Sequence, residues 1–295
     1  MRTATNGTVP SFVSRVRLLI AEQLEDMGTF SGNMVQLLPG KMLRTRLGAR
    51  IAAEVLPRSD GFALARVCAA TELVHTAALC HDDVIDNGTV RRAKAALWKA
   101  TSASGAILIG DLLLCRAMEL LVDTLGGRYA GSFVSKVTEV CVAEAEQELK
   151  YRGTHPDEGT CLRLARGKTG PLFAFVASVC GGDDEGLCSA LEEAGYRIGT
   201  AYQLADDLLD MVGEEGISGK TLGTDAAHEK FTLPQVGGDG NITQYIHEEC
   251  RGAVNCLDAW PDAQNGIERF FECDLQPVFD RHFRYLPGNI VVEVR

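Results

Sequence analysis

The chain has 295 residues, 46% apolar and 23% charged, with a formal net charge of −11. That composition fits a folded globular protein and excludes a low-complexity or disordered chain. The acidic balance excludes nucleic acid as the main partner, because a phosphate backbone needs a basic footprint. The polar stretch MRTATNGTVP at 1–10 reads as a flexible N-terminus, and LLIA at 18–21 is too short for a signal-peptide core. Helical periodicity of apolar residues then runs over about 11–26, 41–55, 61–86, 102–124, 131–152, 158–180, 184–213, 242–258 and 262–285. Strand-like alternation is confined to NIVVEVR at 289–295, within a tail spanning 286–295. ASGAILIGDLLLCRAMELLV is apolar around most of its circumference, the mark of a helix buried among helices. No repeat or domain boundary interrupts the pattern. Residues 1–295 are therefore expected to form a single all-α domain, a large helical bundle. No segment approaches the ~20 apolar residues that span a bilayer. The ten cysteines form no CxxC pair, and Cys68, Cys80, Cys115, Cys141 and Cys180 lie in apolar stretches. They read as reduced, buried thiols of a cytoplasmic protein.

The chemistry is concentrated in two acidic motifs. In LCHDDVIDNGTVRR, at 79–92, Asp82 and Asp86 are four apart on one helix face, with Asp83 between them. His75, seven residues earlier, lies within about 20° of the same azimuth at ~100° per residue. Two carboxylates at that spacing repel when ionised unless a cation sits between them. Oxygen donors without nearby cysteine favour Mg²⁺ over zinc. One such motif alone reads more readily as a solvated acidic helix end. A second copy, YQLADDLLDM at 202–211, carries Asp206, Asp207 and Asp210 at the same spacing, with Gln203 on the face of Asp210. Its apolar flanks make unpaired charge expensive. Two such faces across a cavity would hold divalent ions, and Mg²⁺ held by few carboxylates completes its shell with water and phosphate oxygens. A diphosphate is the implied ligand. The fixed positive charges nearby, Lys41, Arg44, Arg46, Arg91, Arg92, Lys168, Lys220 and Lys230, make a set suited to two diphosphates. Gly167, Gly170 and Pro171 around Lys168 are expected to break or kink a helix and expose its end.

These residues resemble the trans-isoprenyl diphosphate synthases, the polyprenyl synthetase family, over roughly 35–235. The matching segments are GKMLR (40–44), ELVHTAALCHDDVIDNGTVRR (72–92), GDLLLCRA (110–117), AEAEQ (143–147), GKTG (167–170), YQLADDLLD (202–210) and GKTLGTDAAHEKFTLP (219–234). The resemblance implies the isoprenoid synthase fold, helices around a central cavity, and usually a homodimer. It implies a Mg²⁺-dependent prenyltransferase joining an allylic diphosphate to isopentenyl diphosphate. Asp82, Asp86 and Asp206 would ligate three Mg²⁺ ions, with Asp83, Asp207 and Asp210 as outer ligands or orienting groups. Arg91, Lys168 and Lys230, helped by Lys220, would hold the allylic diphosphate. Lys41, Arg44, His75 and Arg92 would hold isopentenyl diphosphate without metal. Thr169 and Gln203 would lie beside the developing allylic cation, and Tyr202 stands where Phe is usual. Ala77 and Ala78 would set chain length, favouring products of C20 or longer, with Leu113, Leu114 and Met118 as a candidate floor.

The chain departs from the family's pattern at Met42, where an Arg of the basic pocket is usual, at Ala93 in place of Gly, and at Ala143. TLP at 232–234 runs into QVGGDGN where members continue into a helix, and the C-terminal part is expected to be shorter than usual. Two alternatives stay open. A terpene-cyclase-like enzyme would need no second diphosphate pocket, and a non-catalytic partner subunit tends to lose aspartates that this chain keeps.

Overall fold

The computed structural model describes residues 8–25, 37, 40–56, 61–122, 128–213, 221–237 and 239–283. The first helix, α1 (Thr8–Leu24), buries Val9, Val13, Val16, Ile20 and Leu24, a stripe at helical spacing. The expected flexible segment 1–10 is thus corrected at its end: Pro10 sits in the first helical turn, where its missing N–H costs nothing. Next come α2 (Leu43–Val55) and α3 (Gly61–Ile85). After α3 the chain makes a minimal hairpin, β1 (Val90–Arg91) against β2 (Lys94–Ala95), in antiparallel register. The short α4 (Leu97–Ala100) leads into α5 (Ala103–Val122). Helix α6 (Ala130–Glu146) widens into a π turn over Gln147–Tyr151. Asp157 and Asp184 then cap α7 (Glu158–Val179) and α8 (Glu185–Val212), accepting from the amides of Thr160 at 2.7 Å and Leu187 at 2.9 Å. Short α9 (Thr224–Ala227) and α10 (Leu233–Gly237) precede α11 (Asp239–Asn255) and α12 (Pro261–Phe270). A second π turn, Phe271–Leu275, joins α12 to α13 (Gln276–Phe283).

The bundle is all-α, with the hairpin as the only strands among the described residues. Helices α3 and α7 run through its centre, and α8 lies against α7 in the most extensive helix contact of the fold. That contact is close enough to exclude side chains: a Cβ on Gly199 would stand 2.5 Å from the Cα of Gly170. The glycines around Lys168 therefore serve helix approach, and the expected break is absent. Helix α7 runs unbroken through Pro171, because the loss of one backbone bond is outweighed by burial of Leu172, Phe173, Phe175 and Val176.

Other expectations change as well. The apolar helix at 103–122 is not buried all round: Leu108 is 67% and Val122 58% exposed, with Cys115 and Met118 on the same stripe. Cys141 is also exposed, whereas Cys68, Cys80 and Cys180 are buried. After TLP, α10 runs to Gly237 and α11 begins at Asp239, where Ile242, Ile246 and Cys250 are buried and α11 packs on α8. One described helix, Gly61–Ile85, is long and apolar enough to cross a membrane by length and composition, against the expectation of none; 67% of its apolar window is buried inside the bundle. The strand-like tail at 289–295 lies outside the described residues.

Candidate active site

The first acidic motif sits where α3 ends. The amide of Asp86 still donates to the carbonyl of Asp82 at 2.8 Å, and Asn87, at φ 48°, stops the helix in the left-handed conformation. Asp82 and Asp86 keep partial exposure on the cleft side. Asp83 turns inward. Both its oxygens are taken by Arg91, from Nε at 2.8 and 2.9 Å and from a terminal nitrogen at 2.7 Å. Its carboxylate is the counter-charge of Arg91 and ties the hairpin to α3. Arg92 and Ala93 occupy the two central positions of the hairpin turn at φ 54° and 58°. Arg92 lies over Gly40, whose Cβ, if present, would be 2.9 Å from the guanidinium Nε.

The second motif lies near the end of α8. Gln203 Nε2 donates to Asp207 Oδ1 at 2.7 Å, and the Thr169 hydroxyl donates to Gln203 Oε1. Asp210 anchors the returning loop: its carboxylate accepts from the amide of Asp225 at 3.2 Å and its carbonyl from Gly223 at 3.2 Å. That loop delivers Lys230, whose ammonium crosses to the first motif and meets Asp86 Oδ1 at 2.5 Å, with Glu148 at 3.6 Å. Lys220 lies outside the described residues.

Lys168 joins the two motifs. Its ammonium donates to Gln147 Oε1 at 2.7 Å, a residue turned inward by the π turn, and pairs with Glu144 at 3.2 Å. Burial opposes its charge, and Glu144, Asp225, Asp207 and Asp82 outweigh that and raise its pKa. Burial, followed by the charge of Glu144, pushes Asp82 up to about 7. Burial, followed by Asp225, pushes Asp207 up to about 8. A small cavity beside the second motif is lined by Gln147, Lys168, Gln203, Asp207 and Thr232. Glu144 and Asp225 belong to this cleft and were not singled out in the sequence. Glu144 had a signal, three residues before Gln147 on the same helix face; Asp225 had none beyond its motif, because only the loop's return brings it to Asp207.

A separate basic cluster gathers around His75, where Arg44, Arg92 and Arg91 converge. Arg44 is buried, with its guanidinium 4.8 Å over the ring of Phe173 and its Nε without a hydrogen-bond partner among the described residues. Burial, then the charges of Arg44, Arg92 and Arg91, hold His75 well below its ordinary 6.5, so it is neutral at pH 7. Glu72, also missed in the sequence, braces the cluster by accepting from the amide and hydroxyl of Thr45 at 3.3 and 2.9 Å. Lys41 is exposed at the edge, Met42 is buried at φ 53°, and Tyr202 faces Arg44 and Arg92. In α3, Ala77 is fully buried while Ala78 keeps some exposure, four residues before Asp82 on its face. Leu113 is buried, but Met118 is 38% exposed on the outer side and drops out of the proposed floor.

The donors suit hard divalent cations. Several carboxylates are crowded until two of them hold protons near neutrality, and lysines stand as the available counter-charges. Among the described residues no three acidic, His or Cys groups converge as a closed cage, so ligand oxygens would have to complete any metal shell.

A sequence model described as polyprenyl synthetase matches residues 29–240. The chain belongs to the polyprenyl synthetase family. Among its relatives in this family, the geranylgeranyl diphosphate synthase of Mycobacterium tuberculosis is 35% identical over 58% of this chain and 51% of its own. Heptaprenyl diphosphate synthase component 2 of Geobacillus stearothermophilus is 34% identical over 76% of this chain and 72% of its own. The chain thus spans about half the length of the first of these polyprenyl synthetase relatives. The fold matches a polyprenyl synthase from Caulobacter crescentus, solved with calcium and isoprenyl diphosphate, at a TM-score of 0.76, with 22% identity over 88% of this chain and 93% of that one.

Proposed function

We propose that this chain is a prenyltransferase that joins an allylic diphosphate to isopentenyl diphosphate, making a longer linear all-trans polyprenyl diphosphate. The observation that carries this reading is the pairing of an acidic cleft, where Lys168 meets Gln147 and Glu144, with a separate basic cluster in which buried Arg44 keeps an Nε without a hydrogen-bond partner among the described residues. The cleft suits a metal-bound diphosphate and the cluster a diphosphate held by cations alone. Asp82, Asp86 and Asp206 would hold Mg²⁺, three ions in this reading, with Asp207 and Asp210 orienting them. Bound metal would supply neutralisation of the charge that appears on the leaving diphosphate. The calcium and isoprenyl diphosphate of the Caulobacter protein support this reading. Lys168, Lys230 and Arg91 would hold the allylic diphosphate. Lys41, Arg44, Arg92 and neutral His75 would hold isopentenyl diphosphate in line for attack. Thr169 and Gln203 border the reacting carbon, and the apolar walls of α3, α7 and α8 keep water from the cation. The proton released after condensation passes to the departing diphosphate. The relatives' names, geranylgeranyl and heptaprenyl, support products of C20 or longer.

The exposed stripe Leu108, Cys115, Met118 and Val122 on α5 supports a homodimer packed through this helix. All ten cysteines are free, which suits a reducing, cytoplasmic setting. A second reading, a subunit that works with a different chain, is favoured by the name "component 2" of one relative. One assay separates these readings. The purified chain is incubated with Mg²⁺, isopentenyl diphosphate and C5, C10, C15 or C20 primers, and products are weighed by mass spectrometry. Elongated products from the chain alone are expected. Turnover of primer without isopentenyl diphosphate would indicate a cyclase, and no turnover would indicate the partner subunit.

A further inference from the structure

Asp274 lies in the π turn that follows α12, beyond the region matched by the family model. Its side chain is 2% exposed and accepts from two arginines of α2: Arg46, from a terminal nitrogen at 3.0 Å, and Arg50, from Nε at 2.8 Å. The two arginines differ in what else they touch. Arg46 also donates its Nε to the carbonyl of Lys41 at 3.0 Å, and its amide donates to the carbonyl of Met42 at 2.9 Å. Arg46 therefore holds the turn that carries Lys41 and leads into Arg44. That turn is strained, since Met42 is in the left-handed region at φ 53°. A non-glycine residue stays there only when its surroundings over-determine it. The segment carrying Asp274 is itself fixed to α2, because a Cβ on Gly266 would stand 2.8 Å from the Cα of Ile51.

We infer that Asp274 is a positioning residue for the non-metal diphosphate pocket, acting through Arg46 on the Lys41–Arg44 turn. This rests on the reading of Lys41 and Arg44 as that pocket. The carboxylate fixes the plane of the Arg46 guanidinium, the guanidinium fixes the Lys41 carbonyl, and the two cations of the turn stay aimed at one anion. Arg50 shares the carboxylate but not the turn, so it contributes packing and charge balance alone.

The test compares Asp274→Ala, Asp274→Glu, Arg46→Met and Arg50→Met in the full chain. Hydrogen exchange of the amides at 40–46 is expected to quicken in Asp274→Ala and Arg46→Met, with 82–92 and 203–210 unchanged, and to stay near normal in Arg50→Met. In steady state the KM for isopentenyl diphosphate should rise roughly tenfold in the first two, with the KM for the allylic primer and kcat within about twofold; misplacement of binding groups by under an ångström has effects of this order. Asp274→Glu should recover part of the loss. Unchanged exchange at 40–46, or equal effects of Arg46→Met and Arg50→Met, overturns the inference; the arginine pair decides even where Asp274→Ala does not fold. Failure of the underlying reading shows differently: Lys41→Ala and Arg44→Ala would then leave the KM for isopentenyl diphosphate unmoved, while the exchange result still decides the role of Asp274.

Discussion

Asp83 and Arg91 form a bidentate ion pair, with three hydrogen bonds of 2.7 to 2.9 Å, in a site where the neighbouring aspartates face the cleft. Removing one partner leaves the other charge uncompensated, a change that costs roughly 3–5 kcal/mol in buried pairs. Arg91 is partly exposed, so the lower end applies. Asp83→Ala is expected to lower the melting temperature by several degrees and to cut activity on the order of a hundredfold by freeing the hairpin. Asp82→Ala should remove activity with little loss of stability, because its carboxyl is crowded by Glu144. Melting curves and initial rates on both variants check the contrast; equal stability losses would remove the distinction between Asp83 and its neighbour.

Ala93 sits at φ 58° in a two-residue turn whose preceding residue, Arg92, is also left-handed. Turns of this type favour Asn-Gly, and an L-residue there costs ~1–2 kcal/mol. Glycine gains unfolded-state entropy of about 0.4–1 kcal/mol, which offsets part of that. Ala93→Gly is expected to stabilise the protein by ~0.5–1 kcal/mol, a rise of about 1–3 °C, with activity retained. A fall in melting temperature would show that the turn carries no such strain.

Asp82 and Asp207 are raised to about 7 and about 8 by burial and then by neighbouring carboxylates. Their ordinary value is 3.8, so between these limits the native state binds more protons than the unfolded chain. The stability they contribute is full below about pH 4 and is lost as pH rises through 7 to 8. Metal binding needs both groups ionised, so its benefit runs the other way. Thermal melts in EDTA between about pH 6.5 and 8.5 should show falling stability, while the increment from added Mg²⁺ grows. A Mg²⁺ increment that is flat with pH would contradict the coupling.

Ala78 keeps exposure on the face of Asp82, whereas Ala77 is fully buried. A large ring at 78 would close the space beneath the first motif. Ala78→Phe is therefore expected to shorten the product by at least one C5 unit at near-normal stability. Ala77→Phe would overpack the core and cost roughly 1–3 kcal/mol. Product masses and melting temperatures report both, and unchanged product length in Ala78→Phe would sink the tunnel-floor idea.

Leu108 is 67% exposed on a helix whose apolar stripe finds no cover among the described residues. Leu108→Glu should leave the helical signal intact and convert a dimer to a monomer. Light scattering on wild type and variant reads this directly; a wild-type monomer would refute the proposed pairing.

Much of the fold was legible because it rests on local rules. The apolar stripes of α1 and α8 are repeated one helical turn at a time, so spacing alone reveals them. The site was legible where a motif lies within one turn, as with Asp82 and Asp86. It was not legible where partners are far apart along the chain. Lys230 meets Asp86 144 positions away, and Asp274 meets Arg46 228 positions away. Gly170 and Pro171 read locally as breakers, and their part in helix approach depends on Gly199 in another helix.

By itself the sequence determined the all-α class, the two acidic motifs and the set of cations around them, because helical periodicity and motif spacing are properties of adjacent residues. Tertiary structure decided the division of labour. It turned Asp83 away from the cleft to Arg91, laid Lys168 between the two motifs, and left one face of α5 uncovered. Those outcomes depend on which helices approach and how closely. A carboxylate's partner, and whether its charge is neutralised by a guanidinium, a lysine or a metal, is set by distance and desolvation in three dimensions.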